Sequence, residues 1–159
     1  FCLSRGLGDV YKRQGVSIHV ETVLKLSRHK NIYALKDSNP DLMRIFRIKS
    51  KHPNFVIFSG DDISYLPSLS LGSDGLISVL SHVLGKELIQ LSECFLKNKF
   101  KQAWKLQNKI VHYSDQIFSV TNPVGIKTLL SHRGMCASNL RGPLQKLTNT
   151  QSQKLVKSL

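Results

Sequence analysis

Residues 15–82 alternate between short continuous apolar runs and amphipathic stretches. The runs Ile32-Tyr33-Ala34-Leu35, Phe55-Val56-Ile57-Phe58 and Leu76-Ile77-Ser78-Val79 have strand length, and unbroken runs suit strands covered on both faces. Each follows a helix candidate: Val20–Leu26, Asp41–Lys49 and Ile63–Leu71. The middle helix carries its own start signal, with Asn39 placed to cap it, Pro40 suited to its first turn and Asp41 at the positive end of its dipole. The strand starts are spaced by 23 and then 21 residues, the length of one βα unit of a parallel sheet.

Past residue 82 the period changes to that of helices. Leu84, Leu88, Leu91 and Phe95 form one stripe, and after a break at Asn98-Lys99 a second runs through Phe100, Ala103, Leu106, Ile110 and Tyr113. Pro123–Leu130 and Gln151–Val156 read as further helices, with a turn at Arg141-Gly142-Pro143. Packing against neighbouring helices accounts for all of these stripes. The reading divides the chain into a head at 1–14, βα units over 15–82 and a helical region over 83–159. The head has neither strand nor helix period, and Asp9-Val10-Tyr11-Lys12-Arg13-Gln14 resembles the translation of a sequencing-library adapter, so a non-native or disordered segment is expected there.

Composition narrows the class. With 159 residues and 41% apolar content the chain can build a core, which sets it apart from disordered polymers. No run approaches the roughly 18 apolar residues of a membrane span. The formal charge of +13 invites a nucleic-acid or membrane partner. Taking away the head removes Arg5, Lys12, Arg13 and Asp9 and leaves +11, so the basicity belongs to the body. Lys97, Lys99, Lys101, Lys105 and Lys109 sit on helices without interleaved aromatics, which reads as a solvated face, and neither nucleic acid nor membrane is expected as a partner. Cys2, Cys94 and Cys136 form no Cys-x-x-Cys pair, the six histidines lack ligand spacing, and a metal-free protein of the reducing cytoplasm is expected.

The chemistry gathers at the strand ends. Lys36 follows the first apolar run, at the C-terminal edge where parallel α/β folds place their active sites. Burial disfavours an ammonium ion, and the free amine is the form that attacks a carbonyl to make a Schiff base. A lysine snorkelling to solvent from the strand end explains the same position. The second run ends in Ser59-Gly60-Asp61-Asp62, where Gly60 lets backbone approach a ligand and the aspartates are suited to capping the next helix. Gly72 and Gly75 bracket a turn into the third run, which ends near Ile77-Ser78.

The segments Tyr33-Ala34-Leu35-Lys36-Asp37-Ser38, Phe58-Ser59-Gly60-Asp61-Asp62 and Leu71-Gly72-Ser73-Asp74-Gly75-Leu76-Ile77-Ser78-Val79 resemble the second half of the dihydrodipicolinate synthase and N-acetylneuraminate lyase family. Asn122-Pro123-Val124-Gly125-Ile126-Lys127 and Leu140-Arg141-Gly142-Pro143-Leu144 resemble that family's C-terminal helical motifs. The resemblance implies an α/β fold: about three βα units from the C-terminal part of a (β/α)8 barrel, followed by helices. It implies a homotetrameric class I lyase that needs no cofactor, because Lys36 forms a covalent Schiff base with pyruvate. By the same resemblance Ile77 contacts pyruvate through its backbone, Gly60 forms the wall of the site, and Arg13 of Arg13-Gln14-Gly15 stands where the family has an Arg-Thr-Gly segment. The implied reaction condenses pyruvate with aspartate semialdehyde in the route to diaminopimelate and lysine. A related aldolase acting on N-acetylneuraminate or hydroxy-oxoglutarate is the alternative, and a basic nucleic-acid-binding module is a more distant one. After the lysine this chain has Asp37-Ser38-Asn39-Pro40 where the family often has Glu-Ala-Ser/Thr-Gly. The family's threonine pair and relay tyrosine belong to the first half of the barrel, so the chain by itself is expected to be inactive and poorly folded.

Overall fold

The computed structural model describes residues 16–159 together with the backbone of a two-residue strand, β1, Leu7–Gly8. It divides into two units, Phe1–Ser78 and Val79–Leu159. The division falls four residues before the one expected at 82, because Val79 and Leu80 already lead into the first long helix.

In the first unit the order is β1, α1 (Val20–Leu26), β2 (Ala34–Asp37), α2 (Met43–Lys51), β3 (Val56–Ser59), α3 (Tyr65–Ser70) and β4 (Gly75–Leu76). The strands form one parallel sheet in sequence order, β1-β2-β3-β4. Parallel neighbours joined through helices in unbroken order are the repeat of a singly wound α/β sheet. Among the described residues there are four strands where about three were expected, the extra one being Leu7–Gly8, which pairs with Leu35 and Lys36. That pair lies within the segment read as a head; residues 1–6 and 9–14 of it are outside the described residues.

The strands lie one to two residues later than the apolar runs, or are shorter than them. β2 runs through Lys36 to Asp37, and β3 ends at Ser59. Nor are both faces buried: in β2 and β3 buried and half-buried residues alternate. Leu35 and Ile57 point into a core completed by Val23, Ile45, Ile48 and Phe55, with Leu24, Leu42 and Leu71 packed around it. Each fully buried aliphatic side chain of this kind contributes about 1.5–3 kcal/mol. Ala34, Lys36, Val56 and Phe58 occupy the other face and are half-buried.

Two helices start later than their capping signals suggested. Asn39 Oδ1 accepts the Asp41 N–H (2.9 Å) and Asp41 Oδ1 accepts the Met43 N–H (3.1 Å), so two successive Asx turns precede α2 and neither residue caps it directly. In α3 the side chain of Asp61 takes the Ser64 N–H and hydroxyl (3.2 and 2.9 Å), and Pro67 sits in the first turn, which needs no N–H from it.

The second unit contains α4 (Ser81–Leu96), α5 (Phe100–Ile117), α6 (Val124–His132) and α7 (Asn149–Lys157). Asn98 adopts φ 57° at the expected break between α4 and α5, a conformation asparagine tolerates better than most residues. Leu84, Leu88, Leu91 and Cys94 of α4 are buried, as are Ala103, Gln107, Ile110, Ser114 and Ile117 of α5. Phe100, expected in the buried stripe, is instead exposed and meets Phe95 edge-on at 5.9 Å. At the start of α6, Gly125 lies so close to the Ile117 carbonyl that a Cβ there would overlap it. Thr148 and Gln151 form a reciprocal capping box at α7.

Candidate functional site

The sheet register places the candidate residues on one face. Lys36 is level with Phe58, and Phe58 with Gly75; one residue on, Asp37, Ser59 and Leu76 form the next row. The ladder continues beyond the strands, because the Gly60 N–H donates to the Asp37 carbonyl (2.7 Å) and the Ile77 N–H to the Ser59 carbonyl (2.8 Å). Alternation then puts Ser38, Gly60 and Ile77 on the same face as Lys36, Phe58 and Gly75. The structure thus gathers Lys36, Gly60 and Ile77 at the C-terminal ends of three adjacent parallel strands. Arg13, the fourth candidate, is outside the described residues.

Gly60 is where the close approach occurs. A Cβ built on it would lie 2.8 Å from Lys36 Cε and would overlap the Ser38 hydroxyl oxygen. Only the absence of a side chain lets the end of the lysine pass over this backbone. Across the sheet, the Phe58 ring covers Gly75, whose Cβ would lie 3.2 Å from Phe58 Cδ1. The lysine therefore stands between an aromatic neighbour in its own row and a bare glycine ahead of it. Ile77 is 46% exposed, so at this residue it is the backbone, tied to Ser59, that is fixed.

The opposite face holds these strand ends in place through polar groups. Asp37 and Arg44 form an ion pair at 3.3 Å, with 3% and 6% of their side chains exposed. The second oxygen of Asp37 accepts the Asn39 N–H at 3.0 Å. In β3, the Ser59 hydroxyl donates to the Asp61 carbonyl (3.1 Å) and accepts the Asp61 N–H (3.3 Å). Asp62, 3% exposed, accepts a hydrogen bond from the Ser78 hydroxyl, joining the segments that follow β3 and β4. Asp61 takes the capping-type role expected of the aspartates, whereas Asp62 is a brace between strand ends. The Ser73-Asp74 turn is likewise structural: Asp74 accepts the Ile57 N–H and pairs with Lys49, both at 2.7 Å.

Ser38 and Phe58 are the residues that the strand-end reading did not single out. The signal for each is its two-residue spacing from Lys36 or Gly60, which places it on the same face. Among the described residues no group of three or more His, Cys, Asp or Glu could hold a metal ion, and no helix is long and apolar enough to cross a membrane.

A family model described as the dihydrodipicolinate synthetase family matches residues 7–159. The chain belongs to this family. A 4-hydroxy-tetrahydrodipicolinate synthase of Hydrogenobaculum sp. is 37% identical over 148 residues, which are 92% of this chain and 51% of that protein. The enzyme of the same name from Endomicrobium trichonymphae is 36% identical over 154 residues, 96% of this chain and 53% of that one. Among solved structures, a dihydrodipicolinate synthase from Bacillus anthracis superposes with a TM-score of 0.90 at 35% identity, covering 96% of this chain and 54% of its own. That of Aquifex aeolicus gives 0.88 at 33% identity, covering 94% and 52%. The chain spans about half the length of the relatives it matches. The family match begins at Leu7, within the segment read as a head.

Proposed function

We propose that this chain is the C-terminal half of a (β/α)8-barrel lyase that joins pyruvate to aspartate semialdehyde through a Schiff base on Lys36. The observation that carries this reading is the place of Lys36: at the C-terminal edge of a parallel sheet, its side chain passing over Gly60, in a chain aligned over nine-tenths of its length with 4-hydroxy-tetrahydrodipicolinate synthases.

The lysine needs no cofactor for this chemistry. Its neutral amine attacks the carbonyl carbon of pyruvate, and loss of water leaves an imine. Removal of a methyl proton gives an enamine, whose carbon bonds to the aldehyde carbon of the second substrate. Phe58 flanks the lysine with apolar surface, and the Ile77 backbone faces the same side of the sheet, where it would meet the pyruvate carboxylate end. The proton-relay residues come from the other half of the barrel, and Arg13 would contact the second substrate. The full-length protein acts as a soluble cytoplasmic homotetramer in this reading.

The test is chemical. Full-length protein carrying this chain, treated with pyruvate and borohydride, is digested and the mass of the Lys36 peptide measured. A reduced pyruvate adduct on that peptide, absent in Lys36→Arg, is expected, together with turnover of aspartate semialdehyde in preference to the aldehyde partners of related aldolases. A folded protein without the adduct overturns the assignment.

A further inference from the structure

The hydroxyl of Ser38 converges on the same small volume as the end of Lys36. Both atoms border the space that a Cβ on Gly60 would fill, so the lysine's terminal methylene and the serine oxygen are neighbours over one bare stretch of backbone. Ser38 is held there from both sides. The Asp37 carbonyl accepts the Gly60 N–H at 2.7 Å, and the Asp37 carboxylate accepts the Asn39 N–H at 3.0 Å. Ser38 is half-buried, and among the described residues no hydrogen bond engages its hydroxyl. A hydroxyl carried on backbone fixed on both sides, partly shielded from water and beside the methylene that bears the lysine amine, can hydrogen-bond to whatever that amine binds.

We propose that Ser38 is a substrate-contacting residue: its hydroxyl donates a hydrogen bond to the oxygen on the carbonyl carbon that Lys36 attacks. The inference rests on the Schiff-base reading of Lys36. As the nitrogen lone pair bonds to carbon, the π pair of the carbonyl moves to oxygen, and one nitrogen proton follows to give the carbinolamine. The C–O bond then breaks, the oxygen leaves as water with the second nitrogen proton, and the nitrogen pair closes the imine. Ser38 keeps its own proton throughout; its hydrogen bond strengthens as negative charge builds on the oxygen and orients the hydroxyl that leaves. The contact acts on the oxo acid and not on the aldehyde, because it is made before the aldehyde enters the reaction.

The experiment measures the rate at which borohydride traps the pyruvate adduct on the Lys36 peptide of the full-length protein. Ser38→Ala is expected to slow trapping about tenfold, the equivalent of about 1.4 kcal/mol. Ser38→Thr, which keeps the hydroxyl, restores the rate to within about threefold of the parent, and all variants melt together. Ser38→Cys, a weaker donor of similar size, gives an intermediate rate and supplies the measurement should the alanine variant fail to fold. Equal rates in the parent and the alanine or cysteine variant, with the adduct present on Lys36, overturn the role of Ser38 and leave the lysine assignment standing. Absence of the adduct in the parent itself overturns the lysine assignment.

Discussion

Replacing Gly60 with alanine tests the geometry of the site with one methyl group. The new Cβ would lie 2.8 Å from Lys36 Cε, whereas carbon atoms rest at about 3.5–4.0 Å, so the lysine must retreat by about 0.7–1.2 Å. It must also compete with the Ser38 hydroxyl for the space that is left. The stability cost is small for a structural reason: both obstructing atoms are ends of half-buried side chains, and off-rotamer adjustment costs about 0.5–1.5 kcal/mol. The backbone at Gly60 lies outside the left-handed region, so alanine is compatible there and stiffens the unfolded chain by about 0.4–1 kcal/mol in compensation. These two effects nearly cancel.

Catalysis has no such compensation. A displacement of about 1 Å at a reacting group costs on the order of a hundredfold. In the full-length protein, Gly60→Ala should therefore slow adduct formation on Lys36 by about two orders of magnitude while Tm moves by only a few degrees. Gly85→Ala, in α4 where a Cβ meets nothing within 4 Å, is the control for a generic glycine substitution and should leave trapping unchanged. A parent-like trapping rate in Gly60→Ala would refute the close approach. A collapse of Tm alongside the rate would show that the glycine serves packing and not the lysine.

Two further predictions concern the framework. Asp37→Leu removes the carboxylate from a guanidinium whose side chain is 6% exposed and should destabilise the protein by about 3 kcal/mol in a denaturant titration, with Asp37→Asn losing less because it still accepts the Asn39 N–H. In the helical unit, the hydrogen bond from Lys109 holds the Glu87 carboxyl below the ordinary carboxylate range, and the same bond holds Lys109 above its usual value. A depressed carboxyl contributes stability above its unfolded pKa and loses it as pH falls through the folded one; the raised lysine contributes below its unfolded pKa and loses it in strong alkali. Because the Lys109 side chain is 46% exposed, solvent screens the pair to below about 1 kcal/mol. Glu87→Gln should flatten the acid limb of the pH–stability curve by no more than that, and added salt should shrink the difference.

The elements were legible in the sequence wherever a hydrophobic signal marks them. The apolar runs located β2 and β3 to within two residues, and the stripes of α4 and α5 emerged because leucines and isoleucines repeat at helical spacing. What hydrophobicity could not mark is where the strands end. The runs stop at Leu35 and Phe58, yet the ladder continues through Asp37 and Ser59, two buried polar residues. Each is compensated by a tertiary or turn partner, Arg44 seven residues along for one and the Asp61 backbone for the other. The one-sided burial was hidden for a similar reason. Val56 and Phe58 are as apolar as Ile57, so the run gives no hint that its alternate members face the lysine.

The hidden polar contacts bear directly on the site. A lysine two residues inside a strand can be aimed only if the residues next to it cannot slip, since a shift of one residue would turn Lys36 to the helix side and Asp37 to the face it left. Hydrophobic pattern alone resists such a slip weakly here, because Ala34 and Val56 on the lysine face are also apolar. The Asp37–Arg44 pair resists it strongly, since a slipped register would take the carboxylate away from a guanidinium whose side chain is 6% exposed. Asp37 thus does for the register what Gly60 does for the reach of the side chain: one sets which face Lys36 occupies, the other how close it comes to its neighbours. The framework substitutions separate the two. Asp37→Leu should impair folding and trapping in parallel, whereas Gly60→Ala should impair trapping alone, and a common response to both would mean that the lysine's position is set by something other than this strand end.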